Sequence, residues 1–188
     1  MSRRIWWILL ALVVVLAGGA AALYLTQQPK LDDAEAKVDA GWKPLRAPDQ
    51  LVLRYQTLAG ALSAFDAAGG QDRDVSKDLH AALDEWTTAL RDGDAGSQVR
   101  AANRVEAQGT RLVANGLGSE RLRGDPAVAG ALAKFATTVP NAELVDAYNR
   151  AVRAYEDDRT AALAQPVARV FGFDARPVLA LGTGGNGS

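Results

Sequence analysis

The hydrophobic pattern of the chain begins with an uncharged, mostly apolar run from Ile5 to Leu25, directly after a pair of arginines. As a helix rising about 1.5 Å per residue, this run would span roughly 30 Å, the thickness of a bilayer hydrocarbon core. Lys30 behind the run is soon followed by two aspartates, so the positive-inside rule leaves the N-terminus in the cytoplasm. The pattern predicts a single-pass anchor in the cell membrane, with Tyr24 at the outer interface and the remaining chain extracytoplasmic.

A cleaved signal peptide is the alternative for this segment. Ala20 and Ala22 form an A-x-A pattern, which is typical of a cleavage site. The retained anchor is favoured because the apolar run continues past this position and exceeds the ~7–15 residues of a signal-peptide core. The chain contains no cysteine, which excludes a lipid-modified cysteine as the anchor, as well as disulfides and a thiol nucleophile.

Beyond the anchor, apolar residues recur every three or four positions, the spacing of one face of an α-helix. The clearest stripes run from Leu51 to Phe65 and from Val75 to Leu90, and a weaker one lies between Ser97 and Asn115. A short helix is predicted from Leu31 to Trp42, stopped by Pro44. Five aromatic residues lie at or near these stripes and the stripe of the last long helix. We expect them to lie in the core, with tyrosine hydroxyls bonded at its rim: Trp42, Tyr55, Trp86, Tyr148 and Tyr155.

Two further helices follow in the C-terminal half. Asp125 and Pro126 have the residue types of an N-cap and a first helical position. The last long helix is predicted from Asn141 to Gln165, where Pro166 kinks or restarts it.

No segment alternates between apolar and polar residues in the manner of a strand, and short connections make neighbouring helices antiparallel. The predicted fold is therefore all-α: an N-terminal segment with a transmembrane helix over residues 1–30, then an antiparallel up-and-down helical bundle over residues 31–180. One domain is expected from this length. The glycine-rich residues 181–188 are predicted to be a disordered tail.

The charge balance of the predicted extracytoplasmic part bears on the class of partner. If the anchor keeps the two N-terminal arginines in the cytoplasm, 19 basic and 22 acidic residues remain outside, a net charge of −3. This balanced surface does not indicate a nucleic acid as ligand.

Candidate catalytic and metal-binding residues are scattered along the chain. His80 is the only histidine, and with no cysteine or second histidine it is interpreted as a partly exposed surface residue. No glutamate recurs in the paired Glu-x-x-His motif of di-metal bundles. The sequence therefore predicts no metal site, no cofactor and no catalytic residues, although these glutamates are available: Glu35, Glu85, Glu106, Glu120, Glu143 and Glu156.

Two other polar features have structural explanations. Consecutive residues point in different directions around a helix, so the acidic run from Glu156 to Asp158 is interpreted as a solvated face rather than a cation site. Ser76, Ser97 and Ser119 lie at or near predicted helix starts, where capping explains them.

The C-terminal third of the chain resembles the LemA family. The residues that carry the resemblance lie between positions 141 and 179 and match the family's final helix, the proline behind it and a Gly-Phe near the end: Tyr148, Asn149, Val152, Tyr155, Pro166, Gly172 and Phe173. The chain departs from the family where a second Tyr-Asn becomes Tyr155-Glu156 and where the closing aromatic becomes Val178-Leu179. The middle of the chain matches only loosely, so the chain is identified as a divergent member.

The resemblance implies an antiparallel helical bundle held outside the membrane by one helix, and it implies no catalytic residues. We expect a non-enzymatic interaction or scaffold protein of the cell envelope, with membrane or envelope proteins as partners, among which the family suggests a membrane protease. A metal-dependent helical-bundle enzyme and a secreted bundle with a cleaved signal peptide are the alternatives.

Overall fold

The computed structural model describes residues 3–182, except for the side chains of residues 3–6, 8–17, 20, 21 and 92. Every regular element in the described range is helical, which confirms the predicted all-α class. Eight α-helices follow one another along it: α1 (Arg3–Leu45), α2 (Leu53–Phe65), α3 (Asp74–Asp92), α4 (Ala95–Gly118), α5 (Glu120–Arg123), α6 (Pro126–Thr137), α7 (Ala142–Thr160) and α8 (Gln165–Phe171). Irregular helical turns, Pro48–Val52 and Asp66–Gly70, flank α2.

The chain divides into two compact units. Unit 1 contains the chain up to Val38 and the segment Ala151–Arg176. Unit 2 contains Asp39–Arg150 and the chain from Pro177 onward.

Helix α1 is longer than the sequence predicted. The segment from Leu31 to Trp42 is not a separate short helix, because it belongs to the 43-residue helix α1, which passes through Pro29 and ends at Leu45. Leu31 and Val38 are buried in unit 1 and Trp42 in unit 2, at 1% exposure each. Burial of this stripe stabilises the part of α1 that follows the proline.

Among the residues that the structure describes with their side chains, no helix is both long and apolar enough to cross a membrane. Most of the predicted anchor, Ile5 to Leu25, has side chains outside these described residues.

The core of unit 2 is built around aromatic residues. The ring of Trp42 lies 6.5 Å from that of Trp86 and 5.3 Å from that of Tyr148, and Tyr55 meets Trp86 edge-on at 5.0 Å. All four side chains are at most 4% exposed, so their predicted place in the core is confirmed. Edge-on aromatic contacts of this kind add specificity to the apolar burial.

The helix ends of unit 2 follow the predicted turn chemistry at Asp125 but not at the serines. Asp125 accepts hydrogen bonds from the N–H groups of Ala127 and Val128, with Pro126 in the first turn, as predicted. The N-cap of α4 is Asp94, which accepts from two N–H groups, so Ser97 is not the cap. A carboxylate at that position satisfies two helix-terminal donors that a serine further along cannot reach.

The other two serines also differ from the prediction. Ser76 is the third residue of α3, is 1% exposed, and donates its hydroxyl to Asp66 at 2.6 Å. Ser119 occupies the N-cap position of α5, but its side chain makes no capping hydrogen bond there.

Unit 1 contains the second half of α7 and the whole of α8. Helix α7 ends at Thr160 rather than Gln165, and α8 begins at Gln165 with Pro166 in its first turn. The proline therefore restarts the helix, one of the two predicted outcomes, because it lacks only an N–H that a first turn leaves unpaired. Gly172 ends α8 with a φ of +75°, a conformation that favours glycine.

The first two residues of the predicted disordered tail are packed against unit 2. Leu181 and Gly182 are partly buried in unit 2, so the prediction is wrong for these two residues. A Cβ at position 182 would collide with the hydroxyl of Thr110, which explains why a glycine, mistaken for a mark of disorder, is packed there. Residues 183–188 lie outside the described part of the chain.

Candidate functional site

The residues of α7 that resemble the LemA motif hold the C-terminal segment of the chain. Tyr148 donates its hydroxyl to the carbonyl oxygen of Pro177 at 2.8 Å. The next residue, Asn149, donates its amide to the carbonyl of Leu179 at 2.9 Å and accepts the N–H of the same residue at 2.8 Å. Asn149 thereby makes both backbone hydrogen bonds that a neighbouring β-strand would otherwise provide.

A second asparagine, on α4, holds the same segment. Asn103 donates to the carbonyl of Val178 and accepts the N–H of Ala180, both at 2.8 Å. The backbone groups of three successive residues are therefore taken by the two asparagines, while the side chain of Leu179 is 3% exposed. Because the hydrogen bonds of the two asparagines contact the backbone, they do not depend on the side chains of the bound segment. The sequence of the segment matters at Leu179, whose side chain is buried, and at Gly182, where a Cβ would collide with Thr110.

A buried ion pair completes this arrangement. The guanidinium of Arg54 binds Glu106 through two hydrogen bonds, of 2.6 and 2.8 Å, and the two side chains are 3% and 1% exposed. Arg54 also donates to the carbonyl of Thr138 at 2.6 Å, and Glu106 accepts the N–H of Gly182 at 3.0 Å. We call the five holding residues the C-terminal clamp: Arg54, Asn103, Glu106, Tyr148 and Asn149.

The ion pair also affects Tyr55 beside it. Burial, and secondly the negative charge of Glu106, raise the pKa of Tyr55 well above its usual value of 10. The neutral hydroxyl donates to the carbonyl of Ala102 at 3.2 Å. Tyr55 is therefore a structural hydrogen-bond donor rather than a proton-transfer group at neutral pH.

Gln98 plays a comparable role at the other end of the core of unit 2. Its carbonyl oxygen accepts the indole N–H of Trp42 at 2.8 Å, and its amide donates to the carbonyl of Ala89 at 3.2 Å. Gln98 is 0% exposed, so these bonds satisfy groups that water cannot reach.

Unit 1 holds its own part of the C-terminal segment with residues about two turns further along α7. Tyr155 donates its hydroxyl to the carbonyl of Asp174 at 2.9 Å. Glu156 accepts the N–H of Arg176 at 2.7 Å and also pairs with Arg159 at 2.6 Å. Burial, and secondly the charge of Glu35, raise the pKa of Tyr155 from 10 to about 12.

The acidic run on α7 is thus only in part the solvated face that was predicted. Asp157 and Asp158 are exposed, as expected. Glu156 is half-buried and engaged by Arg159 and the backbone of Arg176, because the chain returns along this side of the helix after α8.

The remaining motif positions are structural in unit 1. Val152 is 1% exposed and Phe173 is 8% exposed. Together with Pro166 and Gly172 at the two ends of α8, they shape the turn that brings the chain back to α7. The motif is therefore divided between two units, with only Tyr148 and Asn149 in unit 2.

One cluster in unit 2 contains the residue types of a catalytic triad in an unproductive order. His80 lies 2.9 Å from Asp66, and Ser76 donates its hydroxyl to the other oxygen of that carboxylate. A triad needs the serine bonded to the imidazole, which acts as the base, and here the buried serine is bonded to the carboxylate instead. The side chain of His80 is 60% exposed, which confirms its interpretation as a surface residue.

Within the described residues, no group of three or more histidine, cysteine, aspartate or glutamate side chains is placed to hold a metal ion. The available glutamates do not converge: Glu106 is paired with Arg54, Glu85 with Arg104, and Glu35 with Arg176.

Sequence reasoning missed Arg54, Gln98 and Asn103, and listed Glu106 only as an available carboxylate. The signal for the ion pair is charge inside an apolar stripe: Arg54 follows Leu51 by three positions, and Glu106 follows Ala102 by four. Two opposite charges on buried helix faces indicate a buried pair.

No family model, curated protein or solved structure matches the chain. The LemA resemblance stays a prediction that rests on the motif positions themselves.

Proposed function

We propose that this protein is a membrane-anchored, extracytoplasmic interaction protein of the LemA type. The observation that carries the proposal is the continuity of α1. The uncharged run ending at Leu25 and the first buried residues of unit 1, Leu31 and Ala34, lie in one uninterrupted helix. Leu31 follows Leu25 by six helical positions, a rise of about 9 Å, so a folded unit would begin directly at the surface of the membrane that the run crosses.

A non-enzymatic role is supported by how unit 2 uses its buried polar side chains. Arg54, Gln98 and Glu106 are buried, and each is bonded to another side chain or to the backbone of the chain itself. Such groups stabilise the fold. An active site instead needs titratable groups that converge on a space accessible to a substrate.

The proposal places the N-terminus in the cytoplasm and the chain from about Thr26 onward outside. Its partners are proteins of the envelope or membrane, and the LemA resemblance suggests a membrane protease among them. The proposal includes no nucleic acid and no cofactor.

Protease digestion of intact spheroplasts tests the topology. We expect added protease to remove the extracytoplasmic part and leave a short membrane-bound stub, detected by an N-terminal epitope. Protection of the full-length chain would contradict the proposed orientation. A soluble protein with a mature N-terminus near Leu23 would show that the segment is a cleaved signal peptide rather than an anchor.

Crosslinking in native membranes followed by mass spectrometry tests the interaction role. We expect the same envelope or membrane proteins to be recovered in repeated experiments, and a profile without a reproducible partner would count against the proposal. Elemental analysis of the purified protein tests the alternative class, since stoichiometric iron, manganese or zinc would favour a metal-dependent enzyme.

A further inference from the structure

We infer that α8 makes a second contact with the membrane, in which Val170 and Phe171 enter the lipid interface beside the end of the anchor. The inference rests on the proposed anchor and names an additional surface of unit 1 that binds lipid. The surface consists of Leu25 on α1 and Val170 and Phe171 on α8, and we call it the interface patch.

The contact between Tyr24 and Phe171 fixes the depth of α8. Their ring centroids are 4.7 Å apart and their planes are inclined by 36°. Tyr24 is the last residue but one of the apolar run. If the run crosses the membrane, Tyr24 lies at the outer interface, where aromatic rings with a polar end are favoured. Phe171 must then lie at nearly the same depth.

The exposure of the patch fits a lipid surface. Val170 is 75% exposed, Leu25 is 70% exposed and Phe171 is 51% exposed. One turn earlier on α8, Val167 and Ala168 are 6% and 3% exposed. The middle of the short helix is therefore buried in unit 1, and its last two residues are exposed at the C-terminal end.

The charges of α8 fit the same occupant. The segment Gln165–Phe171 contains one basic residue, Arg169, and no acidic residue. Arg169 is exposed and directly precedes Val170. A basic side chain beside exposed apolar residues is typical of segments that lie in the interface, because the cation reaches the phosphates while the apolar groups enter the acyl boundary.

The absence of cysteine from the chain allows single labels to test the inference in the full-length protein. We would introduce Leu25→Cys, Val170→Cys or Ala36→Cys, attach an environment-sensitive NBD fluorophore, and place each protein in phosphatidylcholine nanodiscs with nitroxide lipids labelled near the headgroup. Ala36 is the matched control: it is exposed on the same helix, and it lies about 16 Å beyond Leu25 along the axis.

We expect blue-shifted emission and strong nitroxide quenching at Leu25 and Val170, with neither at Ala36. Phe171→Asp should reduce the quenching at Val170 and leave that at Leu25 unchanged. Quenching at Leu25 with a water-like signal at Val170 would overturn this inference and leave the anchor in place. Water-like signals at both positions would overturn the proposed anchor itself. Equal quenching at all three positions would overturn the assignment of the contact to α8.

Discussion

The two units hold the returning C-terminal segment with similar residue types in different surroundings. In unit 2, Arg54 and Glu106 are 3% and 1% exposed and Gly182 is bound between buried groups. In unit 1, Arg159 and Glu156 are 24% and 27% exposed. Water screens the second pair, and an unpaired charge in the first would have no solvent to replace its partner. Removing one partner of the ion pair should therefore cost more stability in unit 2 than in unit 1.

The units also differ in the roles that we assign to their residues. Unit 1 presents the apolar interface patch, whereas the polar side chains buried in unit 2 are bonded within it. We therefore expect substitutions in the clamp to lower the free energy of unfolding, and substitutions in the patch to change membrane contact instead. Unless another measurement is named, the free energy of unfolding is measured by urea denaturation of a chain that begins at Thr26.

The largest loss is expected for Tyr148→Ala. The substitution removes a 1% exposed ring packed on Trp42 and a hydrogen bond to Pro177. It should cost about 3–5 kcal/mol, as other aromatic truncations in cores do. Asp157→Ala, at an exposed position on the same helix, should change stability by less than about 0.5 kcal/mol. Equal effects of the two substitutions would show that Tyr148 is not a core residue.

Glu106→Gln tests the dry ion pair directly. It leaves the positive charge of Arg54 buried without a counter-charge, which should cost about 3 kcal/mol or more. The matched substitution Glu156→Gln in unit 1 should cost at most about 1 kcal/mol, because that pair is partly hydrated. A loss of stability in Glu156→Gln as large as that in Glu106→Gln would contradict the difference between the two units.

Asn149→Ala removes both side-chain hydrogen bonds to the backbone of Leu179. Leaving buried backbone groups unpaired should cost about 1–3 kcal/mol. Asn115→Ala is the control, since its amide donates to the carbonyl of Arg111 at an exposed site. Hydrogen exchange at the N–H of Leu179 should become faster in Asn149→Ala alone, and unchanged protection there would contradict the clamp.

Alkaline pH should destabilise both units through their buried tyrosines. The pKa of Tyr155 is raised to about 12, so the folded state favours the neutral hydroxyl. Its contribution is fully present below pH 10, the ordinary tyrosine pKa, and is lost as the pH rises from 10 to 12. Denaturation at pH 8 and pH 11 should show this loss in the original chain and a smaller one in Tyr155→Phe. An equal loss in both would contradict the contribution of Tyr155.

The smallest effect on stability is expected for Val170→Asp. This side chain is 75% exposed, so the free energy of unfolding in solution should change by less than about 0.5 kcal/mol. In the full-length protein, the same substitution should abolish the contact of α8 with nanodiscs. An NBD label at position 171 would measure that contact. A large loss of stability would show that Val170 belongs to the core of unit 1.

Periodicity and local turn chemistry were sufficient to predict much of the fold. The stripes from Leu51 to Phe65 and Val75 to Leu90, and the cap at Asp125, depend on residues within a few positions of one another. The helical class and the aromatic core followed from these local patterns. The continuity of α1 through Pro29 did not, because a proline inside a helical pattern ordinarily ends or kinks the helix.

The C-terminal clamp could not be predicted from local pattern. Asn103 meets Val178 across 75 positions, and Arg54 meets Glu106 across 52. No spacing rule connects residues so far apart, and a glycine such as Gly182 is ambiguous between a close packing contact and a flexible tail. Tyr148 and Asn149 were singled out by resemblance, and the structure supplies the contacts that they make.

Chemical labelling of intact cells tests the central claim, a membrane-anchored protein with its folded part outside, most directly. Ser2→Cys and Ala36→Cys would each be the single cysteine of the chain, treated with a maleimide that cannot cross the membrane. We expect labelling at position 36 before lysis and at position 2 only after the membrane is opened. Labelling at position 2 in intact cells, or protection of position 36 until lysis, would contradict this claim.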